Sequence, residues 1–315
     1  MSGELKVMFR VKGKKGVALM MTLWIVVLLA VVAASFAVSM RTGTASVRNF
    51  KEDISAYYYA ISAYEDAVKF LLNDTDSAVD YVDQDGKMIV EADGETFREN
   101  RELPFGSVEV NIIDESAKIN INSLSKEKWI RLLNRSGVDF REAEEITDSI
   151  LDWRDRDDLR HEYGAEDDYY EDYDYAAKDA PFSTVEELLL VKGMDEDILY
   201  GSAELELTGI YDHLSVCSGR GINVNTVSED TMEILGVSPL EMDSVLAQRA
   251  EGPVMLIPAS FGSAGIGTTI SECFKIRSSV TPAGTDYTRT IEALIKRIPK
   301  GSVYEIKVIY WRDDV

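Results

Sequence analysis

The densest chemistry in the chain lies between positions 152 and 174. It reads Asp152-Trp153-Arg154-Asp155-Arg156-Asp157-Asp158, then Glu162, Gly164-Ala165-Glu166-Asp167-Asp168, then Glu171, Asp172 and Asp174. A carboxylate run is usually a solvated face. Here Asp155 and Asp157 also repeat the alternating spacing by which a loop wraps calcium, a hard cation that takes oxygen ligands. Gly164 lets the backbone turn back and carry Glu166 toward the first cluster. Packing so many carboxylates together without a cation costs mutual repulsion. No glutamate closes a twelve-residue loop begun at Asp155, so the EF-hand pattern is absent. A third reading is an acidic metallohydrolase, which needs two metals, a bound substrate and usually a histidine or lysine base. His161 is the one histidine near the run, on a charged loop where a solvated ring is expected. No GxSxG, P-loop, HExxH or dinucleotide fingerprint occurs. His161 and His213 are far apart and there is no CxxC, which disfavours zinc. Cys217 and Cys273 are inert core thiols in a reducing compartment and a possible disulfide in an oxidising one.

Helices flank the acidic run. Apolar residues recur at helical spacing over 126–153 (Trp129, Leu132, Leu133, Ile146, Ile150, Trp153), and Gly137 divides them into two helices. The second helix ends near Trp153 and leaves 155–158 in a loop, where side chains and carbonyls can converge. Ile119-Asn120-Ile121-Asn122-Ser123-Leu124-Ser125 before the first helix is echoed by Ile222-Asn223-Val224-Asn225-Thr226-Val227-Ser228 before a helix with Ile234, Leu235 and Gly236. Two related helical units are expected, with Asn, Ser and Thr in turn and cap roles. Between them, Ser183 with Glu186 or Thr184 with Glu187 offers a capping box. The helix followed by Leu190-Val191-Lys192-Gly193 resembles a helix-hairpin-helix, a unit often used on DNA. Lys192 is followed by Asp195, Glu196 and Asp197, which repel phosphate, and the formal net charge of −23 disfavours nucleic acid as a partner.

Strand patterning lies on either side. Residues 87–90 follow an Asp85-Gly86 turn, and 106–114 alternate through Val108, Val110 and Ile112. Alternation returns over 273–279, 289–297 and 303–312, and the Gly/Pro/Ser-rich stretch 253–269 is expected to be a loop.

The N-terminus carries Lys6, Arg10, Lys12, Lys14 and Lys15 against Glu4, then 22 residues, 17–38, without a charge. As a helix these span about 33 Å, enough to cross the hydrocarbon core. The basic excess keeps the N-terminus cytoplasmic and sends the body across. The helical pattern continues through Ile54, Tyr57, Tyr58, Ile61, Tyr64, Val68 and Leu71 without a proline, with Gly43 a possible bend.

A basic leader ending in glycine, followed by a helix that is both membrane anchor and domain spine, resembles type IV pilins and type II secretion pseudopilins. Most such chains carry glutamate at the fifth mature position, where this one has Met21. That departure and the stretch Gly16-Val17-Ala18-Leu19-Met20-Met21-Thr22-Leu23-Trp24 resemble the K-type minor pseudopilin. The resemblance implies cleavage by a prepilin peptidase between Gly16 and Val17, with methylation of the new N-terminus. It implies an α+β fold in which a long pilin helix and an antiparallel sheet are interrupted by a large helical domain of two SAM-like or helix-hairpin-helix-like repeats. The divisions expected are a leader (1–16), a transmembrane half-helix (17–39), a first scaffold part (40–116), the insert with its acidic loop (117–252) and C-terminal scaffold strands (253–315). It further implies structural calcium on Asp152, Asp155, Asp157, Asp158, Glu166 and Asp168, although Asp152 can instead orient Arg154 or cap a neighbour. The role implied is non-enzymatic: a tip subunit that initiates the pseudopilus, held in the inner membrane with a periplasmic body. Its partners would be I- and J-type minor pseudopilins and the inner-membrane assembly platform. A type IV pilus-like minor pilin and a membrane-anchored periplasmic hydrolase are the alternatives.

Overall fold

A computed structural model of the chain describes residues 14–74, 79–217, 219–301 and 303–313. Most of the expected leader, residues 1–13, lies outside them. The chain divides into two compact units, Met1–Ala56 and Tyr57–Val315. Helix α1 (Lys14–Leu72) begins in the first. There its apolar residues, Trp24 and Phe36 among them, are exposed throughout 17–38. By length and composition this helix can cross a membrane.

In the second unit, the last turns of α1 bury Ala60, Ala63, Tyr64, Ala67 and Leu71. Three alanines on that face let the helix lie close to the sheet. Tyr64 meets Trp311 edge-on at 5.0 Å, Tyr59 stacks on Phe105 at 5.0 Å, and Asp66 accepts from Arg101 at 2.7 Å. Two small antiparallel ladders follow, β1 (Tyr81–Val82) with β2 (Met88–Ile89), and β3 (Glu91–Ala92) with β4 (Glu95–Thr96). Then come β5 (Asn100–Leu103) and β6 (Gly106–Asp114), whose Val108, Val110 and Ile112 are buried on one face, as the alternation requires.

After β6 the chain leaves the sheet. It forms β7 (Ile119–Asn120), α2 (Lys126–Arg135), α3 (Phe140–Arg154), α4 (Asp167–Tyr170), α5 (Glu196–Tyr200), β8 (Leu214–Ser215), β9 (Ile222–Asn223), α6 (Glu229–Ile234), α7 (Pro239–Glu251), α8 (Phe261–Ala264) and β10 (Ile266–Thr268). It returns as β11 (Cys273–Pro282), β12 (Arg289–Lys300) and β13 (Val303–Asp313). The antiparallel sheet has the order β13-β12-β11-β6-β5. Phe274 lies directly across from Asp114, so the insert departs and returns at neighbouring points.

The insert has its own core, built on Trp129, Leu132, Leu133, Ile146, Ile150, Trp153, Leu188, Met232, Val245 and Phe261. Gly137 and Gly236 end α2 and α6 with φ of +106° and +87°, which glycine tolerates best. The two Asn-rich segments are held alike. Asn120 Oδ1 accepts from Asn122 N–H, and Asn223 Oδ1 from Asn225 N–H. Asn122 makes a two-way bracket with the Phe182 backbone, and Asn225 makes the same bracket with Val254. Arg154 donates to the Ile121 and Leu124 carbonyls, and Arg249 to those of Val224 and Val227.

Two local expectations are corrected. The stretch 253–269 is not a loop of the C-terminal scaffold: Val254, Phe261, Ala264 and Ile266 are buried in the insert core, and β10 pairs with β9 in parallel. Four spaced apolar residues outweigh the Gly/Pro composition. Neither capping box forms. Glu186 turns to Arg312 and Tyr211, and Glu187 accepts from Ser183 N–H and Lys178, because the segment Val185–Leu190 is a 3-10 helix, whose tighter turn shifts the spacing.

Candidate metal centre

Asp139 caps the start of α3 by accepting from Arg141 N–H, and Ala143, Ile146, Ile150 and Trp153 bury one face of that helix. The packing delivers Asp152 to the interior on the same turn as Trp153. Asp152 is fully buried and accepts from the His161 N–H at 3.1 Å and from its ring Nδ1. His161 is therefore held against a carboxylate while its side chain stays 39% exposed. Arg154 is occupied by carbonyls and is not oriented by Asp152.

Beyond α3 the chain runs through two side-chain turns. Asp155 Oδ1 accepts from Asp157 N–H at 3.4 Å, and Asp157 Oδ1 from Leu159 N–H at 3.0 Å. The chain then comes back over the helix end at Gly164. The need for glycine there is a close approach, not a left-handed turn: a Cβ would lie 1.8 Å from Asp152 Oδ2. The Gly164 carbonyl, with that of Tyr163, accepts from Lys192 Nζ, which removes Lys192 from any phosphate-binding role.

Ligand-capable atoms of Asp152, Asp155 and His161 lie within 4.8 Å of one another. Glu166 is 7% exposed, and its Oε1 is buried without a hydrogen-bond partner among the described residues. Burial first, then Asp152, Asp155, Asp179 and Asp158, push its carboxyl up to about 7. Asp155 is raised by burial together with Asp157 and Asp152. Asp158 faces Glu166 and Asp179 closely enough to raise both. At an effective dielectric of about 20, two unit charges about 5 Å apart repel by roughly 3 kcal/mol. An oxygen cage with an unpartnered buried carboxylate oxygen fits a hard divalent cation.

Asp179 belongs to this group and has no counterpart among the expected ligands. Its N–H donates to the Trp153 carbonyl at 3.1 Å, its φ is +51°, and its Oδ1 is buried without a partner among the described residues. An aspartate before Pro181 is a weak turn signal, and nothing in the spacing ties it to Asp152. Asp168 is not brought in. It is exposed on α4, 3.8 Å from Arg160, so Asp168→Ala is expected to leave the calcium response of thermal melting unchanged. A lost response would place Asp168 among the ligands.

Beneath the loop lies an aromatic floor. Trp153 meets Tyr170 at 5.1 Å and Tyr175 at 6.0 Å, Tyr170 stacks on Tyr175 at 5.5 Å, and Lys192 sits 5.2 Å above Tyr169. Cys217 and Cys273 are joined in a disulfide with Cα atoms 6.2 Å apart, tying the insert to the first residue of β11. Gly16 and Val17 lie on exposed α1. A cleft of about 980 Å³ lies elsewhere in the insert, lined by Arg135, Tyr200, Tyr211, His213 and Asp230 and by no residue of the acidic loop.

A protein-family model described as type II secretion system (T2SS), protein K matches residues 108–201. Type II secretion system protein K of Pseudomonas aeruginosa is 26% identical over 198 residues, 59% of this chain and 60% of the relative. The Klebsiella pneumoniae protein of that name is 25% identical over 259 residues, 75% of this chain and 74% of the relative. The Aeromonas hydrophila protein is 25% identical over 243 residues, 70% of this chain and 69% of the relative. In structure, a chain of the GspK–GspI–GspJ complex from the type 2 secretion system of enterotoxigenic Escherichia coli superposes with a TM-score of 0.62 at 21% identity, over 85% of this chain and 99% of that one. The family match falls on β6 and the first half of the insert, the relatives extend it along the chain, and the fold agrees: over most of its length the chain is similar to type II secretion system protein K.

Proposed function

We propose that the protein is the tip subunit of a type II secretion pseudopilus and initiates its assembly for export of folded proteins. The observation that carries the reading is the combination of an apolar, exposed α1 with a second unit whose fold matches a chain from a three-pseudopilin complex. Its partners are I- and J-type minor pseudopilins in the fibre, the inner-membrane platform below it, and the prepilin peptidase that cuts between Gly16 and Val17. Residues up to Gly16 stay on the cytoplasmic side, residues 17–39 of α1 span the inner membrane, and the rest is periplasmic. The role is association, not catalysis. Helix packing in lipid joins the subunit to its neighbours, and the bulky insert prevents another subunit from adding above it. Met21 suits a subunit with no neighbour above whose N-terminus needs a carboxylate.

The matching Asn and Arg brackets support reading the insert as two copies of one helical unit. Asp152, Asp155, Asp158, Glu166 and Asp179 would hold calcium, with Asp157 bracing the loop. A bound ion supplies counter-charge and fixes the loop.

Two measurements test this reading. The chain from native membranes is expected to begin at N-methylated Val17 by intact mass and N-terminal sequencing, and a strain lacking the gene is expected to lose export of its secreted proteins. An uncut Met1 start together with normal export would overturn the assignment.

A further inference from the structure

We propose that the buried junction of Asp74, Asp80, Asp114, Ser271 and Arg297 is a proton-dependent latch between the insert and the sheet. A proton held on the Asp80–Asp114 pair closes it, and loss of that proton loosens it.

The junction gathers every place where the chain passes between the two parts. Asp74 and Asp80 follow α1, Asp114 ends β6 where the chain departs, Ser271 precedes β11 where it returns, and Arg297 lies on central β12. Asn223 and Thr226 reach it from the insert. Arg297 is 1% exposed, sandwiched between the rings of Phe274 and Tyr304 at 5.0 Å each. It donates to Asp80 Oδ2 at 2.6 Å, to the Ser271 carbonyl at 2.8 Å and to Asp74 Oδ2 at 3.3 Å. Its single positive charge is thus shared by two carboxylates.

Among the described residues, the donors to Asp114 are neutral: Ser116 N–H at 2.7 Å, Thr226 Oγ1 at 2.5 Å and Ser271 Oγ. The charged neighbours that face it are Asp80 and Glu115, and the latter is neutralised by Lys118 and Lys275. Ser271 couples the pair, giving its N–H to Asp80 Oδ2 at 2.7 Å and its hydroxyl to Asp114, while its Oγ accepts from Asn223 Nδ2 at 2.8 Å. Asn223 Nδ2 also donates to the Asp80 carbonyl at 2.8 Å. Ionised together, Asp80 and Asp114 would set two buried charges against one guanidinium that Asp74 also shares. Removing a charge by protonation is the usual escape. The site accommodates it. Protonated Asp114 donates to Thr226 Oγ1, whose own hydrogen turns to the Asn223 carbonyl at 3.5 Å. Asp80 Oδ1 is buried without a partner among the described residues, so nothing there stabilises a second full charge.

Burial raises the carboxyls of both Asp114 and Asp80, the latter to about 7 despite the pull of Arg297. Between the unfolded aspartate value of about 3.9 and that raised value the folded chain holds more protons than the unfolded one. Stability therefore falls as pH rises through this window and levels off above it.

The test uses the full chain in detergent micelles with saturating calcium, because Glu166 titrates in the same direction without it. Melting temperature is followed from pH 5 to 8.5. Hydrogen exchange of peptides covering 220–230 and 266–273 is read by mass spectrometry, corrected for intrinsic rates. The wild type is expected to melt several degrees lower at pH 8 than at pH 6 and to lose protection at these peptides. Asp114→Asn, and separately Asp80→Asn, are expected to flatten both dependences. A wild type with equal protection at both pH values overturns the latch, as does a folded variant that keeps the wild-type slope. If one variant does not fold, the other decides, and if neither folds, the wild-type exchange data decide.

Discussion

Withdrawing calcium from the purified chain is expected to lower its melting temperature by roughly 5 to 10 °C, and returning the ion is expected to restore it. At a free concentration about a hundred times Kd, a ligand of the folded state alone contributes about 2.7 kcal/mol. A domain of this size shifts by about 2–4 °C per kcal/mol. The effect is large because the ion answers several carboxylates at once, among them buried Asp152 and Glu166. Asp155→Asn with Glu166→Gln is expected to abolish the calcium response while leaving the chelated protein no less stable, since repulsion is removed along with the site. Gly164→Ala is expected to abolish the response by displacing Asp152. Trp153 lies beside Asp152 in sequence and packs under the loop, so terbium substituted for calcium is expected to luminesce on indole excitation. Identical melts with chelator and with calcium would remove the metal centre.

The second large effect is expected at the disulfide. Cys217 and Cys273 close a loop with a sequence separation of 56. The chain-entropy relation gives about 4 kcal/mol for a loop of that length. Cys217→Ser with Cys273→Ser is expected to melt roughly 10 °C lower at unchanged pH and calcium. Both cysteines are buried, at 5% and 0% exposure, so mild reductant is expected to act slowly on the folded protein and fully once it is partly unfolded. A double variant melting within about 1 °C of wild type would make the crosslink thermodynamically idle. The expected loss is specific to the crosslink, because serine keeps the volume nearly constant.

Much of the fold was legible where one pattern dominates. The helix through Leu72, the break at Gly137 between α2 and α3, β6 and the three C-terminal strands all stand where periodicity puts them. The strands run slightly farther than expected, because β-pairing carries Pro282 and Lys300 into the ladders. Composition foresaw the irregular residues 253–260 but not α8 and β10 after them, whose apolar residues join the insert core. Cap spacing failed at Val185–Leu190, where a 3-10 turn changes which glutamate meets the chain start.

In the acidic loop, composition located the cluster of carboxylates but not which of them converge. Asp152 and Asp155 are adjacent to the helix end and follow from it. Glu166 follows from the return at Gly164. Asp179 comes from beyond the tyrosine floor, and only the fold brings it back to Trp153. Asp168 looked equivalent to Glu166, yet α4 turns it to solvent toward Arg160. The contact of His161 with Asp152 was not legible, because nothing in the sequence reveals a buried aspartate nine positions earlier. Whether Cys217 and Cys273 meet was likewise a matter of tertiary distance.

The pairing of Asp114 with Phe274 has a consequence for how such a chain could arise and be altered. Strands β6 and β11 are antiparallel neighbours, so everything between them occupies the position of a hairpin turn. A whole helical module can therefore be gained, lost or exchanged at this point without re-registering a single strand. The sheet behaves as a socket whose two terminals already sit side by side. Variation in the size and content of the module is then confined to one stretch of the gene, with the order and register of the strands kept.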